Sequence, residues 1–405
     1  MRIFHSAGVL LAITYIGACV DRDEPTQPVE ASKGSGAAPL SPAMIAAGKT
    51  IFRFETFGDE TFWTDTLRMH EVIRSAVDPI TALSVGLKVD AEALPPEVVA
   101  GILDGSIHLD DPATTVTLLK LNAVVGLKGE VNDEGVLTRV GVTCALCHST
   151  VDNSFQAGIG RRLDGWPNRD LDVGKIVTLS PSPVLTPEAR AVYLSWGPGM
   201  YDPRFNIDGL NLPVVIPPAF GLRHVSKEIY TGDGPVSYWN AYVAITQMHG
   251  HGHFVDSRIG VDKNNPPDLV TSKLEPLRVY QFSLETPAPG SFDLAAAERG
   301  RKVFKGDGGC DKCHMSNVYT DVNAGRLHPA SEVGQDPAYA MRSATKEYRT
   351  TPLRGLWNPP QLKGPYFHDG NAATLEAVVE HYVTRFSLTL TAQQKADLVE
   401  YLKSL

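Results

Sequence analysis

The order of polar and apolar positions predicts a helical start for the ordered part of the chain. Ser41 and Pro42 form a helix-start signal, since serine is a favoured N-cap and proline fits the first helical turn. We therefore expect a helix from Ala43 to about Phe54. The 36 glycines and 29 prolines of the 405 residues predict long, loop-rich connections between the elements that follow.

The last residues of the chain predict a second amphipathic helix. Leu398, Leu402 and Leu405 recur at helical spacing and share one face. Thr391 and Gln394 precede them as a capping box, in which each side chain satisfies a backbone N–H group of the other residue. The fold class expected from these patterns is mostly α.

The N-terminus is typical of a targeting segment. Ala7–Ile16 is an apolar run behind Arg2 and is too short to span a bilayer. It leads to Cys19 at the position of the lipidated cysteine in bacterial lipoproteins, so residues 1–19 are expected to be a lipoprotein-type signal peptide and a membrane anchor. An ordinary cleaved signal is the alternative, and both imply export to the periplasm. Residues 20–40 lack aromatics and predict a disordered tether.

The composition of the chain limits the classes of molecule that it is expected to bind. The formal net charge is −9 and no block of basic residues occurs, so a nucleic-acid partner is not expected. Hydrophobic content of 43% and charged content of 20% are ordinary for a globular chain.

Apart from Cys19, all cysteines fall in two C-x-x-C-H motifs. Cys144, Cys147 and His148 form the first motif, and Cys310, Cys313 and His314 form the second motif. Two cysteines one helical turn apart reach the two vinyl groups of a haem, and the adjacent histidine ligates the iron. Zinc is the alternative for four cysteines, but each pair here carries the extra histidine. We predict two covalently bound haem c groups with His148 and His314 as iron ligands.

A short repeat favours two haem domains. Ala46–Phe52 and Glu298–Phe304 each contain a glycine followed four residues later by phenylalanine, although chance similarity of two helices is an alternative. We expect two cytochrome c-like haem domains with long loops, residues 41–285 and 291–405. The first is enlarged by an insertion before Cys144, and Thr286–Gly290 is expected to link the two.

The sixth ligand of each iron decides between electron transfer and catalysis, since an open position admits peroxide or oxygen. Candidates at the second haem are Met315, Met341, His328, His368, His381 and Tyr382. Candidates at the first are His70, His224 and the alternating run His249, His251 and His253, which could instead be core or loop histidines.

Other residues are candidates for catalysis and cofactor binding. Gln247, His249 or Glu60 could move a proton between peroxide oxygens. Trp239 is a candidate electron relay between the haems, or else a packed core residue. The arginines of one Gly-rich segment could pair with haem propionates, or belong to a solvated loop; they are Arg161, Arg162 and Arg169.

Three C-terminal motifs resemble the bacterial di-haem cytochrome c peroxidases and their relative MauG. They are Tyr348–Gly355, Gly364–Gly370 and Thr374–Val379, within a resemblance that covers about Leu274–Leu405. The resemblance implies that the N-terminal haem meets peroxide and that the C-terminal haem passes electrons. It also implies that the residue eight past Thr374, Tyr382, ligates the second iron, with His381 as its close rival. Calcium between the haem domains is a further expectation from the resemblance.

The chain departs from the peroxidases in its N-terminal half. No histidine follows the first motif before His224, Ser237–Asn240 stands where a Trp-Asp-Gly-Arg segment is usual, and the insertion is long. In these respects the chain resembles the rubber oxygenases, whose N-terminal haem binds oxygen.

The function expected from the sequence is an exported di-haem c-type cytochrome oxidoreductase that reduces peroxide at its N-terminal haem. Its electrons would come from a small redox protein or a quinol-linked donor, and the mild acidity of the chain suits a basic donor protein. The alternatives are a non-catalytic electron carrier and a haem dioxygenase acting on an apolar substrate. An apolar pocket with a channel to the surface would favour the dioxygenase, and a polar pocket the peroxidase.

Overall fold

Residues 39–315, 317–356 and 365–405 are described by the computed structural model. The predicted signal peptide, Cys19 and nearly all of the predicted tether lie outside these residues. Pro39–Leu405 form one compact unit by their contacts. The division into domains 41–285 and 291–405 therefore stays a prediction. Within the described part, no helix is long and apolar enough to cross a membrane.

Helices dominate the regular structure, as predicted. They are α1 (Pro42–Phe54), α2 (Met69–Ala76), α3 (Pro79–Ser84), α4 (Pro96–Asp104), α5 (Pro112–Lys120), α6 (Ala145–His148), α7 (Val173–Thr178), α8 (Pro187–Leu194), α9 (Phe205–Asp208), α10 (Val236–Tyr242), α11 (Leu274–Ser283), α12 (Leu294–Lys305), α13 (Ala330–Val333), α14 (Leu375–Arg385) and α15 (Ala392–Lys403). Two π-helical turns, Thr61–Thr66 and Val243–Gln247, lie before residue 286. We call the part of the chain before this residue the N-terminal half and the part after it the C-terminal half.

The strands are short and pair two by two. They are β1 (Val89–Asp90), β2 (Leu127–Val131), β3 (Leu137–Val142), β4 (Ser149–Val151), β5 (Ile159–Gly160), β6 (Arg162–Asp164), β7 (Met200–Tyr201), β8 (Val214–Val215), β9 (Gly252–Asp256) and β10 (Val261–Asn265). The longest pair is the antiparallel hairpin β2–β3, in which Leu127 faces Val142 and a bulge occurs at Glu130/Val131. The pairs β4–β6, β7–β8 and β9–β10 are antiparallel, and β1–β5 is parallel.

Both terminal helices begin as the sequence predicts. The Ser41 side chain accepts a hydrogen bond from the Met44 amide, and Pro42 occupies the first turn of α1. At α15 the Thr391 hydroxyl accepts from the Gln394 amide while the Gln394 side chain accepts from the Thr391 amide, which confirms the capping box.

The repeated Gly–Phe spacing marks two equivalent helix crossings. On α1, a Cβ added to Gly48 would overlap the carbonyl oxygen of Pro276 on α11, and Phe52 meets Tyr280 edge-on with 5.5 Å between ring centroids. On each helix the second residue follows the first by four, so both contacts lie on one face.

The second crossing repeats this arrangement. A Cβ added to Gly300 on α12 would overlap the carbonyl oxygen of Asp397 on α15, and Phe304 meets Tyr401 edge-on at 5.2 Å. The likeness of the two seven-residue segments thus corresponds to a shared three-dimensional packing, in which glycine lets two helix backbones approach and an aromatic pair fills the next turn.

The hydrophobic core of the described residues consists of several clusters. The crossing of α1 with α11 and the crossing of α12 with α15, which we call the two frames, each lie in a cluster of their own. The C-terminal cluster centres on Phe304, Leu375, Leu398 and Leu402, which includes two leucines of the predicted apolar face. The largest cluster, in the N-terminal half, surrounds the first motif and includes Tyr242.

We expect Gly48→Ala and Gly300→Ala each to lower the free energy of unfolding by about 1–3 kcal/mol, because the added methyl group overpacks a backbone contact. Within a helix, alanine is more favourable than glycine by roughly 1 kcal/mol. At a helical glycine without a close neighbour, the substitution to alanine should therefore raise the free energy of unfolding. Urea unfolding of the purified protein measures the change. Lys302→Ala, at an exposed site on α12, is the control and should be nearly neutral; a stabilised Gly300→Ala variant would contradict the close approach.

Candidate functional site

One large cavity passes both motifs. Its volume is about 1740 Å³, beyond the roughly 300–1,000 Å³ that is usual for small-ligand pockets. The cysteines and histidines of both motifs lie in its wall; they are Cys144, Cys147, His148, Cys310, Cys313 and His314. Segments from the two halves of the chain enclose it together.

The first motif is fixed by its neighbours in sequence and space. Cys144 caps α6, and the backbone N–H group of His148 bonds to the Cys144 carbonyl at 3.2 Å. The His148 ring is oriented by a contact of 3.1 Å between its Nδ1 atom and the carbonyl oxygen of Pro217. An Nδ1–H donated to a carbonyl leaves Nε2 as the metal-binding atom, which is the usual arrangement around ligating histidines.

The second motif repeats this arrangement. Cys310 begins a short 3₁₀ turn, and the His314 amide bonds to the Cys310 carbonyl at 2.9 Å. The Nδ1 atom of His314 lies 3.0 Å from the carbonyl oxygen of Tyr319, whose hydroxyl contacts that of Tyr401 on α15. The second motif is thereby tied to its helix crossing.

Both motifs fit covalent haem c. Burial raises the pKa of the Cys144 and Cys147 thiols to about 12 and that of Cys310 to about 11, so these thiols are neutral groups in apolar surroundings. Burial also lowers the pKa of His148 to about 4, which leaves the imidazole neutral as an iron ligand must be. The paired cysteines, the oriented neutral histidine and the apolar cavity are the parts that a covalently attached haem requires.

Two π-helical turns form part of the cavity wall in the N-terminal half. Phe62 and Trp63 come from the first turn, and Met248 and His249 follow the second. Trp63 Nε1 donates to the Met248 carbonyl at 3.2 Å, and the Phe62 ring stacks on His249 with 3.7 Å between centroids and 17° between planes. We call these four residues the π-turn wall. Single π turns within helices are frequently found at functional sites.

His249 is held in an unusual conformation in this wall. Its φ angle is +66°, in the left-handed region that costs a non-glycine residue energy unless its surroundings impose it. Burial lowers the pKa of its imidazole to about 4. Of the predicted alternating run, only His249 faces the cavity: His251 contacts the Pro266 carbonyl, and His253 is exposed on β9.

Gln247 also lines the cavity, but its amide is already engaged. Its side-chain carbonyl accepts from the Tyr201 hydroxyl at 2.8 Å, and its amide nitrogen donates to Asn206 at 3.0 Å and to Thr246 at 2.9 Å. Both amide N–H bonds are therefore used, and one acceptor position remains on the oxygen. Gln247 is a fixed polar group, whereas His249 is the titratable one.

The remaining candidates of the N-terminal half lie at different places. Trp239 lines the cavity and stacks on Tyr242 with 5.0 Å between centroids. Outside the cavity lining lie Glu60, which accepts from the Thr56 hydroxyl, His70, and His224, whose carbonyl accepts from Asn323.

Tyr382 and His381 are adjacent on α14 but lie on different faces of that helix. Thr374 caps α14, and Tyr382 lies in the cavity wall near Cys310 and Cys313, with its pKa raised to about 12 by burial. His381, turned by about 100° around the helix axis, contacts the Val333 carbonyl at 2.9 Å instead. The structure therefore brings Tyr382, and not His381, to the second motif.

Two other histidines line the cavity, and each has a polar side chain beside its ring. His328 lies between carboxylates, 3.0 Å from Asp321 and 3.2 Å from Glu332. Cys313, Asp321 and His328 could hold a metal ion by their proximity, but Cys313 already belongs to the haem motif. His368 Nε2 lies 3.0 Å from the Tyr348 hydroxyl. Of the methionine candidates, Met341 is exposed, and Met315 is not among the described residues that line the cavity.

The structure places the three arginines that were predicted to bind haem propionates in different surroundings. Arg161 is exposed beside Asp152, and Arg162 is buried in an ion pair with Asp164 at 2.8 Å. Arg169 alone lines the cavity. Gly364, the first residue of one C-terminal motif, lies outside the described residues.

Several wall residues were not identified from the sequence. Tyr201 and Asn206 bind Gln247, and Trp63 binds Met248, across 41 to 185 residues of chain. In the sequence, the aromatic residues Phe57, Phe62 and Trp63 lie close together, but nothing in this pattern indicates that Trp63 contacts Met248.

Comparisons with known proteins agree with a haem site. A family model described as cytochrome c matches residues 297–405. The methylamine utilization protein MauG of Methylorubrum extorquens is 33% identical over 129 residues, which cover 27% of this chain and 35% of that protein. Hydrazine synthase subunit gamma of Kuenenia stuttgartiensis is 33% identical over 178 residues, 33% of this chain and 49% of that protein.

The chain spans about a third to a half of the length of these curated relatives. A solved structure of K. stuttgartiensis hydrazine synthase, pressurised with xenon, aligns with a TM-score of 0.32 at 22% identity, over 48% of this chain and 72% of that chain. The cytochrome c match and the MauG similarity support covalently bound haem c.

We expect Tyr382→Phe to change the EPR and visible absorption spectra of one haem, because it removes a hydroxyl group from the cavity wall near Cys310 and Cys313, whereas His381→Gln should leave both spectra unchanged. The two variants differ by one position on α14 and thus form a matched pair. An altered spectrum in His381→Gln with an unchanged one in Tyr382→Phe would reverse the assignment.

Proposed function

We propose that the chain is a di-haem c-type oxidoreductase that reduces peroxide beside the first motif, on the strength of its cytochrome c match and its similarity to MauG. In this proposal the second haem supplies the electrons. The single observation that carries the proposal is the continuous cavity whose wall contains both C-x-x-C-H motifs. The two equivalent helix crossings support one haem unit around each motif.

The residues of the first site suit proton transfer. Reduction of hydrogen peroxide to two waters consumes two electrons and two protons, and a positioned base speeds it by moving a proton from one oxygen to the other. The haem supplies the iron redox chemistry when it is bound. His249, neutral and held by Phe62, accepts the proton and returns it to the departing oxygen.

Gln247 orients the oxidant in this scheme. Tyr201, Asn206 and Thr246 lock its amide, so its remaining acceptor position points in one fixed direction. A preorganised dipole of this kind needs no rearrangement during the reaction.

The residues of the second site suit electron transfer. Tyr382 and His314 both line the cavity and would hold the iron of the second haem, and a tyrosine ligand would lower the potential of that haem relative to a methionine ligand. Trp239, stacked on Tyr242 in the cavity wall, is the proposed relay between the two sites. A small redox protein or a quinol-linked donor would deliver the electrons.

The cellular setting proposed is the periplasm. Haem c attachment and the Cys19 lipobox-like sequence both suit an exported, membrane-anchored lipoprotein. Calcium between the haem domains remains a proposal from the resemblance.

One observation favours a second function, oxygen-dependent oxidation of an apolar substrate. The residues that α7, α8 and the segment between them contribute to the cavity wall include the apolar Val173, Val184 and Ala189. Val184 is exposed, so this part of the wall suits the entry of an apolar substrate. Uptake of oxygen without added peroxide, in the presence of an apolar substrate, would favour this function over peroxide reduction.

We expect the fully ferric or half-reduced protein to show a high-spin EPR signal from one haem and a low-spin signal from the other, because only the first site is proposed to keep an open iron position. Separate His148→Ala and His314→Ala variants should abolish the high-spin and the low-spin species respectively. Only low-spin signals in both redox states would mean two saturated haems and an electron carrier without catalysis.

We expect His249→Gln to slow the reaction with hydrogen peroxide by about 10²–10⁴-fold with both haems retained, because the proton acceptor is lost. Stopped-flow kinetics measures the rate. His253→Gln, an exposed histidine of the same run, is the matched control and should react like the wild type.

The pH profile gives the same test another readout. The accepting form of His249 is the neutral one, which dominates above its pKa of about 4. The wild-type rate should therefore be level from pH 7 to about pH 5 and fall as the pH approaches 4, and this limb should be absent in His249→Gln. An unchanged limb in the variant would assign the proton transfer to another group.

A further inference from the structure

The guanidinium of Arg169 is buried without protein partners for two of its nitrogens. Its Nε and Nη1 atoms are shielded from solvent and make no hydrogen bond within the described part of the chain. Burial lowers the pKa of Arg169 to about 10, and the hydroxyl of Tyr366 is the one group that opposes this shift. A buried cation without a counter-charge is strongly destabilising, so such a site is built for an anion.

The backbone fixes Arg169 beside the first motif. The amide of Asn168 donates to the Cys147 carbonyl at 2.9 Å, and the amide of Gly165 donates to the His148 carbonyl at 2.8 Å. The Asn168 side chain donates to the Gly86 carbonyl at 2.8 Å. Arg169 is the next residue along, and its charge is close enough to His148 to contribute to the lowered pKa of that histidine.

The other arginines of the cavity wall differ from Arg169. Arg349 is also buried, but it donates to the carbonyls of Ile229, Glu228 and Thr350. Arg354 donates to the Asn317 carbonyl. Both therefore have carbonyl partners, and the remaining arginine of the wall, Arg326, is exposed to solvent. Among the described residues of the wall, Arg169 is thus the arginine with buried donors that lack a partner.

We propose that Arg169 binds a propionate carboxylate of the haem attached to the first motif, at the side of the cavity that faces Tyr366 of the C-terminal half. The inference rests on the proposed function, since it requires a haem at His148. A propionate has the charge that a buried guanidinium needs, and charge-assisted bonds between arginine and carboxylate are among the strongest hydrogen bonds in proteins.

Arg169 is thus a positioning residue that also sets the potential of the first haem. An ionised propionate favours the ferric state, because that state carries one more positive charge at the iron than the ferrous state. The positive charge of Arg169 offsets the negative charge of the propionate. Removal of the arginine charge should therefore favour the ferric state. It should also raise the pKa of the propionate, so that the potential of this haem rises as the pH falls near neutrality.

The test is a spectroelectrochemical titration of the holoprotein and three variants. Arg169→Gln should lower the ferrous-to-ferric ratio of the first haem about tenfold at a fixed electrode potential, the size expected of one charge-assisted hydrogen bond. Arg169→Lys should restore most of the wild-type ratio. Arg161→Gln removes the same charge from the exposed side of the same segment and should change nothing.

Two results would overturn the proposal: an Arg169→Gln variant that carries both haems and titrates like the wild type, or a shift confined to the haem of His314. If Arg169→Gln does not mature, resonance Raman spectra of the wild-type protein decide, since a propionate-bending mode of the first haem at the frequency of a fully solvated propionate would mean that Arg169 makes no such bond. Mass mapping of the peptides that contain Cys144 and Cys147 shows whether haem is attached to the first motif. Without haem there, the proposed function itself is wrong; with haem there and no effect of Arg169, only the present inference is wrong.

Discussion

The close approach of two helix pairs is the constraint on which the rest of this molecule depends. Gly48 lets α1 lie against α11, and Gly300 lets α12 lie against α15. Phe52 and Phe304 then fill the next turn against a tyrosine. One C-x-x-C-H motif lies beside each crossing: Cys144 packs against the cluster of Phe52 and Tyr280, and Tyr319, which binds His314, contacts Tyr401. Both motifs line the same cavity.

The chemistry that distinguishes the two sites comes from outside these frames. The long insertion supplies Phe62 and Trp63 to the first site, and the segment after α10 supplies Met248 and His249. At the second site the wall is a regular helix, α14, which presents one tyrosine to the cavity. The wall at the first motif thus contains loops, π turns and a strained histidine, whereas the wall at the second motif contains a regular helix, and this contrast is what the proposed division of roles rests on.

Sequence reasoning predicted what depends on local spacing. The motif residues, the caps of α1 and α15 and the repeated Gly–Phe segment were all visible, because each needs residues within about one or two helical turns. It did not find the π-turn wall, which depends on contacts between distant segments, such as that of Trp63 with Met248. It left Tyr382 and His381 unresolved, and only the phase of α14 separates them. Likewise the sequence does not show which of Arg161, Arg162 and Arg169 lines the cavity, because this depends on how the strand and the loop after it are placed in space.

The place of the insertion has a consequence for how such a protein can diversify. In the second unit Phe304 is followed by Cys310 almost at once, whereas about ninety residues separate Phe52 from Cys144. Those residues leave the helix crossing of α1 with α11 intact and contribute wall residues to the first site. A change in this loop-rich segment can therefore alter the wall around the first motif without touching the helix crossing beside that motif or the residues around the second motif.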